Sequence, residues 1–241
     1  VADLNYDNVD MRRAMKNAMK FWVREANVDG FRCDVAMMVP MDFWEDTRAA
    51  LDSIKPVFML AEAEGPEYHT KAFDMTYGWE FHHIMNEVAK GEMDASHISG
   101  YLAKMDTTFP EGALRMYFIT NHDENSWNGT IFERMPNDYQ AMYVLSSTLP
   151  NAIPLVYSGQ EYGLNKRLAF FEKDTITGSD STLFDFYKKV VDLKMNHPTL
   201  QNGQYQGDFQ PLPLDTSATR LYGYTREKDG QMIFVLLNFS D

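Results

Sequence analysis

Gly30-Phe31-Arg32-Cys33-Asp34 is the stretch around which the rest of the chain is organised. It is a short apolar run that ends on a carboxylate. Residues two apart in a strand face the same side, so Arg32 and Asp34 are expected to project together from the end of a buried strand. A carboxylate there is unfavourable unless it is paired or used in chemistry, and the arginine would keep Asp34 ionised. We therefore expect other parts of the chain to supply partners for this pair.

The composition excludes several classes of partner. The 241 residues are 44% hydrophobic and 24% charged, as in globular proteins of one large domain or one domain plus part of another. A net charge of -13 and a pI near 4.8 argue against nucleic acid and anionic membranes, which bind basic surfaces, and are compatible with a neutral sugar. No run of 18 apolar residues occurs, so no membrane-spanning helix is predicted. The compartment is left open between bacterial cytoplasm, periplasm and secretion.

Strands and helices alternate along most of the chain. Apolar residues at helical spacing predict a helix that Asp7 or Asn8 can cap and that runs to about Asn27. Further helices are predicted at 42–53, 80–90, 95–105, 138–148 and 182–196, and strands at 30–34, 57–62, 74–77, 115–120 and 153–157. This alternation indicates parallel βαβ units, and the polar residues at the strand ends indicate the catalytic face of a (β/α)8 barrel. An open doubly wound sheet would place ligands similarly, but no glycine-rich phosphate loop follows any strand.

The pattern changes beyond Gly203. Short alternating strands are predicted at 219–226 and 232–238, and Lys228-Asp229-Gly230 between them is a hairpin signal. We therefore predict a domain boundary between residues 202 and 203. The only cysteine, Cys33, excludes an intrachain disulfide and is expected to be a buried, inert thiol.

Three predicted strand ends carry ionisable groups: Asp34 with Arg32, Glu62, and Asp123 with His122. Retaining glycoside cleavage needs one ionised carboxylate that attacks the anomeric carbon and one carboxylic acid that protonates the leaving oxygen. Asp34 beside a cation suits the first role. Glu62 ends an apolar strand with no adjacent cation, which suits the second. Asp123 and the donor His122 could grip sugar hydroxyls and stabilise positive charge in the transition state.

Each of these features has a plainer interpretation. A single aspartate at a strand end is more often structural or solvated than catalytic. Asn121-His122-Asp123 could form a turn in which Asn121 and Asp123 bond the local backbone. Glu64 is a rival for the acid, although Glu62 is preferred because it lies in the register of the strand.

Three histidines, His69, His82 and His83, raise the alternative of a metal site. His82 and His83 are adjacent and would face different sides of a helix, so they cannot share an ion well. We therefore predict neither a metal nor a cofactor.

In combination these segments resemble the α-amylase family, glycoside hydrolase family 13. Three stretches resemble its signature regions in order, namely Gly30-Phe31-Arg32-Cys33-Asp34-Val35-Ala36, Phe58-Met59-Leu60-Ala61-Glu62 and Phe118-Ile119-Thr120-Asn121-His122-Asp123. Asp3-Leu4-Asn5 resembles the motif before the fourth barrel strand, and Ile153-Pro154 with Gly159-Gln160-Glu161 resembles the motif of the last strand. The resemblance covers nearly the whole chain.

The resemblance implies both an activity and a fold. It makes Asp34 the nucleophile, Glu62 the general acid/base and Asp123 the third carboxylate, with Arg32 and His122 binding the sugar. It implies a retaining hydrolase of α-1,4-glucans or maltooligosaccharides. The fold it implies is a partial (β/α)8 TIM barrel, strands four to eight, at 1–202, followed by antiparallel strands at 203–241 that begin a C-terminal β-sandwich domain.

Several departures from the family pattern set further expectations. The first signature region has no counterpart, so we expect a truncated catalytic domain that is inactive alone. Met37 and Met38 stand where many relatives carry the Lys-His pair of a calcium site, so no calcium is expected. Val35-Ala36 and Val39 with Phe43-Trp44 resemble the neopullulanase and cyclomaltodextrinase side of the family.

Other functions stay open. An acceptor sugar in place of water would make the protein a glucan transglycosylase. A catalytically incompetent barrel that acts only as an interaction module, as in amino-acid-transporter heavy chains, is the non-enzyme alternative, and the three retained carboxylates speak against it. Missing strands would leave exposed barrel edges, so self-association through these edges is also expected.

Overall fold

The computed structural model describes residues 3–215 and 217–240, so Val1, Ala2, Thr216 and Asp241 lie outside the described residues. The chain forms two compact units. The first comprises Val1–Tyr77 with Thr108–Ala113, and the second comprises Gly78–Thr107 with Leu114–Asp241. Each unit has its own cluster of buried apolar side chains.

The first unit alternates helices and parallel strands. Its elements are α1 (Val9–Glu25), β1 (Gly30–Cys33), α2 (Met41–Asp52), β2 (Phe58–Ala61) and β3 (Met75–Tyr77). Of the two predicted caps, Asn8 is the one that caps α1, by accepting from the backbone N–H groups of Asp10 and Met11. β1 pairs with β2 and β2 with β3, all in parallel, with Arg32 beside Leu60.

The backbones of β1 and β2 lie so close together at position 30 that only glycine fits there. A side chain there would overlap the carbonyl oxygen of Phe58 on the neighbouring strand. Cys33 at the end of β1 is 6% exposed and belongs to the apolar cluster of the unit. The prediction of a buried thiol is therefore confirmed. Burial raises the pKa of this thiol to about 12, although the positive charge of Arg32 acts to lower it.

The second unit contains the remaining elements. These are α3 (Trp79–Lys90), α4 (Ser96–Thr108, whose last residue belongs to the first unit), β4 (Leu114–Tyr117), α5 (Ile131–Arg134), α6 (Tyr139–Thr148), β5 (Ala152–Pro154), α7 (Ser181–Asn196), β6 (Asp208–Pro211), β7 (Leu221–Lys228) and β8 (Gln231–Asn238). β4 and β5 are parallel, whereas β6, β7 and β8 form an antiparallel sheet. The hairpin prediction is confirmed, since Asp229 and Gly230 both have positive φ between β7 and β8.

Four features of the second unit differ from the sequence predictions. β4 ends at Tyr117 rather than near Thr120, although Phe118 to Asn121 remain buried. Strand β6, helix α5 and a π-helix at Glu124–Asn128 were not predicted. The missed elements are four or five residues long, too short to show a hydrophobic period.

Candidate active site

The turn after β1 is tied to the end of β2. Asp34 is the first residue beyond β1, and Val35 has a left-handed backbone with φ of 44°. This conformation is rare for a β-branched residue. It directs the Val35 N–H to Glu62 Oε2 at 2.6 Å, while the Glu62 N–H donates to the Cys33 carbonyl at 3.0 Å. The two strand ends are therefore held together at the backbone and through a carboxylate.

One guanidinium, that of Arg32, contacts both candidate catalytic carboxylates, Asp34 and Glu62. Arg32 forms an ion pair with Asp34, as the spacing of two residues predicted, and its Nη2 lies 2.7 Å from Glu62 Oε1. Its Nε donates to the Tyr77 hydroxyl at 3.1 Å. Burial acts to lower the pKa of Arg32, but the hydrogen bonds to Tyr77 and Asp34 and the charge of Glu62 outweigh it and raise the pKa above its ordinary value.

The expectation that Glu62 has no neighbouring cation is wrong. In the parallel register Arg32 pairs with Leu60, so residues 32, 34, 60 and 62 share one face of the two strands. The cation beside Glu62 comes from the neighbouring strand, which spacing along the sequence does not show. The rival Glu64 lies two residues further on, half-buried, in the loop before a 3₁₀ helix at Pro66–His69.

The two carboxylates differ in access to solvent. The Asp34 side chain is 75% exposed, whereas the Glu62 side chain is 11% exposed. An incoming ligand can therefore reach Asp34 directly. Glu62 is shielded, and Arg32 and the Val35 N–H are its donors on the protein side.

In the second unit His122 and Asp123 follow the buried end of the β4 segment. The His122 Nε2 lies 3.3 Å from Asp123 Oδ2, and both side chains are partly exposed. Asn121 is buried and its Oδ1 accepts from the Glu124 N–H at 2.8 Å, so it forms the local turn that the plainer interpretation anticipated. Burial and the charge of Asp123 raise the pKa of Tyr157, a neighbour that the sequence did not indicate.

A buried polar network underlies this turn. Glu124 Oε2 lies 3.1 Å from His82 Nε2, and the other ring nitrogen, Nδ1, donates to the Phe118 carbonyl at 2.9 Å. Arg134 donates to the carbonyl of Ile119 and to Asn86 Oδ1, both at 2.8 Å. Burial acts to raise the pKa of Glu124, but the hydrogen bond and charge of His82 outweigh it and lower the pKa.

The sequence contained one signal for this network. His82 and Asn86 lie four residues apart on the apolar face of α3, where unpaired polar side chains are unfavourable. His83 faces solvent, so the two adjacent histidines do diverge as predicted. Within residues 3–215 and 217–240 no group of three or more His, Cys, Asp or Glu side chains is arranged to hold a metal ion.

The motif of the last strand braces the second unit. Gln160 is buried and its Oε1 accepts from the Tyr157 N–H at 3.1 Å, while its Nε2 donates to the Tyr187 hydroxyl of α7 at 3.0 Å.

Met37 and Met38, at the positions of the relatives' calcium site, are both exposed in the first unit. In the part of the chain that the structure describes, no helix is long and apolar enough to cross a membrane.

Comparison with known proteins identifies the family. The model of the alpha amylase catalytic domain matches residues 1–182, well over half of the chain. The chain belongs to the alpha-amylase family. The resemblance predicted from the three signature stretches is thereby confirmed.

The named relatives of this alpha-amylase-family chain are longer than the chain itself. It is 29% identical over 246 residues to alpha-amylase MalA of Haloarcula japonica, covering 99% of this chain and 35% of that protein. It is 26% identical over 257 residues to a cyclomaltodextrinase of a Bacillus species, covering 98% of this chain and 43% of that protein. The chain thus spans less than half the length of these relatives.

A solved structure supports the fold. The maltogenic alpha-amylase AmyB of Thermotoga neapolitana superimposes with a TM-score of 0.86 at 28% identity, covering 98% of this chain and 55% of that chain. The match confirms the predicted fold class, a partial (β/α)8 TIM barrel followed by antiparallel β-strands.

Proposed function

We propose that the protein is a retaining glycoside hydrolase of α-1,4-glucans or maltooligosaccharides, with Asp34 as nucleophile and Glu62 as general acid/base. The observation that carries the proposal is the contact of one guanidinium with both carboxylates at neighbouring strand ends. The names of the relatives, alpha-amylase and cyclomaltodextrinase, support the substrate class.

The exposure of the two carboxylates suits the two roles. Asp34, largely exposed, can attack the anomeric carbon and form a covalent glycosyl ester. Glu62, shielded from solvent, gives its proton to the leaving oxygen and then accepts a proton from the water that hydrolyses the ester. Asp123 and His122 act in the roles of the family, third carboxylate and sugar-hydroxyl ligand.

The shared Arg32 keeps the charge of this pair balanced through the reaction. In this mechanism the general acid carries the proton before the first step, so the negative charge that Arg32 then faces is that of the nucleophile Asp34. After that step Asp34 is a neutral ester and the negative charge lies on Glu62, which Arg32 contacts at 2.7 Å. One cation therefore faces one anion in both states, which favours transfer of the charge between the two carboxylates.

The test compares two exposed aspartates that each pair with an arginine. Asp34→Asn should lower hydrolysis of maltoheptaose by about 10⁴-fold or more, while its free energy of unfolding changes by less than about 1 kcal/mol because the side chain is exposed. Asp10→Asn, at a side chain 84% exposed and paired with Arg13, is the control and should retain full activity. The variants are made in the longest natural protein chain that contains this sequence. The assay measures the new reducing ends that form when this protein cleaves maltoheptaose.

Hydrolysis retained by a folded Asp34→Asn variant would overturn the assignment. Products longer than the substrate would instead indicate transglycosylation. Faster cleavage of cyclomaltodextrins than of linear glucans would place the protein with the cyclomaltodextrinases, an alternative that the similarity to the Bacillus enzyme supports.

Two expectations about the organisation of the chain are also proposals. We propose a domain boundary between residues 202 and 203, and self-association of the 241-residue chain through the edges of its partial barrel. Light scattering of the purified chain tests the second, since a stable monomer would contradict it. The expectation that the chain is inactive alone is tested by its turnover of a chromogenic maltoside.

A further inference from the structure

Three aromatic side chains beside His122 are exposed together. Trp127 is 57% exposed, Phe170 40% and Phe171 82%. The ring centroid of Trp127 lies 5.1 Å from that of Phe170 and 6.3 Å from that of Phe171. We call these three residues the aromatic platform. Large apolar side chains that cluster at the surface mark binding sites more often than isolated ones do.

The platform is continuous with the candidate active site of the second unit. The Phe170 ring stacks on the imidazole of His122 with centroids 6.0 Å apart and planes inclined by 27°. Trp127 lies in the π-helix that begins directly after Asp123. A ligand held by His122 and Asp123 would therefore extend over the platform.

Hydrogen bonds fix the two segments that carry the rings. The Asn125 amide donates to the Lys166 carbonyl at 3.1 Å and accepts from the Leu168 N–H at 2.8 Å. The Ser126 hydroxyl donates to the Leu168 carbonyl at 2.8 Å. These bonds join the π-helix of Trp127 to the loop of the two phenylalanines.

The tip of that loop is closed on itself. Asp174 pairs with Lys166, and its Oδ2 accepts from the Ala169 N–H at 2.9 Å, across the turn that presents Phe170 and Phe171. The rings are thus positioned before any ligand arrives, which reduces the ordering cost of binding.

The charges around the aromatic platform indicate which class of ligand it binds. Two of the three cations of the loop are paired, Lys166 with Asp174 and Arg167 with Glu133, the third, Lys173, is flanked in sequence by Glu172 and Asp174, and the chain carries a net charge of -13. Phosphates, nucleic acids and anionic lipids are therefore disfavoured. A neutral ring with an apolar C–H face and a hydroxyl edge fits, because aromatic faces carry partial negative charge and His122 and Asp123 offer polar partners.

We propose that Trp127, Phe170 and Phe171 form a stacking subsite for a glucose ring of the α-glucan, next to the ring bound by His122 and Asp123. This inference rests on the proposed function and adds specificity for longer chains. A substrate too short to reach the platform gains nothing from it.

The experiment compares Trp127→Leu with Trp127→Phe. The first keeps an apolar side chain without an aromatic face, and the second keeps a face. In the non-hydrolysing Asp34→Asn background, Trp127→Leu should weaken maltoheptaose binding by about tenfold or more in titration calorimetry, Trp127→Phe should keep most of the affinity, and Phe171→Ala should weaken it several-fold. With Asp34 intact, Trp127→Leu should lower kcat/KM for maltoheptaose but not for a short chromogenic maltoside.

Trp22→Leu is the matched control. Trp22 is 53% exposed and contacts Phe21 on α1, so it is an exposed tryptophan beside a phenylalanine in the first unit. It should leave both measurements unchanged. Equal affinity of wild type and a folded Trp127→Leu for maltoheptaose would overturn the subsite while leaving hydrolysis intact. Loss of phosphatidylcholine-vesicle binding in Trp127→Leu, with unchanged maltoheptaose affinity, would reassign the platform to a lipid surface. All of these measurements use the longest natural chain that contains this sequence, and a wild type of that length that neither binds nor cleaves any α-glucan would instead refute the proposed function.

Discussion

Arg134 offers a sharp test of the network beneath the Asp123 turn. Its side chain is 9% exposed and donates to the carbonyls of Gly129 and Ile119 and to Asn86 Oδ1 at 2.8 to 3.1 Å. Its Nη1 also lies 3.8 Å from the Glu124 carboxylate. Arg134→Met keeps the apolar stem but removes the guanidinium from three hydrogen-bond acceptors and from Glu124, which is 13% exposed and still contacts His82 and Asn128. We expect it to lower the free energy of unfolding by about 3 to 5 kcal/mol.

Arg167→Met is the matched control in the same unit. Arg167 makes a bidentate pair with Glu133 at 2.9 and 3.0 Å, but both side chains are about half exposed. Water replaces the lost partner there, so the expected loss is about 1 kcal/mol or less. Good hydrogen-bond geometry is common to both arginines, and burial is the main difference between them.

Urea unfolding followed by far-UV circular dichroism measures both variants under identical conditions. The difference between the two arginines is the decisive quantity, because it cancels the loss of one positive charge that both variants share. Equal shifts of the midpoint, or a shift for Arg134→Met no larger than that of the surface control, would refute the conclusion that burial makes this network stabilising.

Two further predictions concern stability elsewhere in the chain. Burial, with the charge of Arg226, lowers the pKa of Lys194 to about 7. An unfolded lysine has a pKa of about 10.4, so between about pH 7 and pH 10 the unfolded chain binds more protons than the folded chain. The free energy of unfolding of the wild type should therefore rise by about 2 kcal/mol relative to that of Lys194→Met between roughly pH 7 and pH 9. Parallel stability profiles of the two proteins would contradict this. Gly30→Ala should destabilise the first unit by about 1 to 3 kcal/mol because the new methyl group overlaps the Phe58 carbonyl. Gly100→Ala, on α4 with open space around it, should instead stabilise by roughly 0.5 to 1 kcal/mol, and thermal melts that rank the pair the other way would refute the steric reasoning.

The strand ends of the candidate site could be predicted because local rules determine them. A strand alternates its side chains, so Arg32 and Asp34 had to point the same way, and the ion pair between them follows. Helix starts were equally local, as the Asn8 cap shows. The short apolar runs before Asp34 and Glu62 likewise form strands, although β1 is less buried than predicted, because only Cys33 of its four residues is buried, whereas three of the four residues of β2 are.

What depended on pairing between strands could not be predicted. The contact of Arg32 with Glu62 requires the parallel register of β1 and β2, which the sequence does not state. The network of His82 with Glu124 joins residues 42 positions apart. Neither the spacing nor the charge pattern of one sequence selects such partners, because many other polar residues lie as far from Arg32 or His82 along the chain as their actual partners do.

Backbone conformation was the other gap. Valine is a β-branched residue that favours extended backbone, yet the φ of Val35 is positive, and this conformation presents its N–H to Glu62. The π-helix at Glu124–Asn128 likewise follows from side-chain bonds to a distant loop rather than from helix propensity. Both departures lie next to the proposed catalytic residues Asp34 and Asp123, where local preference is often overridden.

The single thiol gives the first unit an intrinsic reporter. Cys33 is both buried and, with its pKa raised to about 12, almost entirely protonated, so a disulfide reagent cannot react with it in the closed protein. Labelling then requires the strand that ends at Asp34 to open, and the labelling rate measures how often it does so. Because the chain has no other cysteine, no engineered probe is needed. A sugar that binds at Asp34 should slow the labelling, which makes ligand binding readable without any turnover.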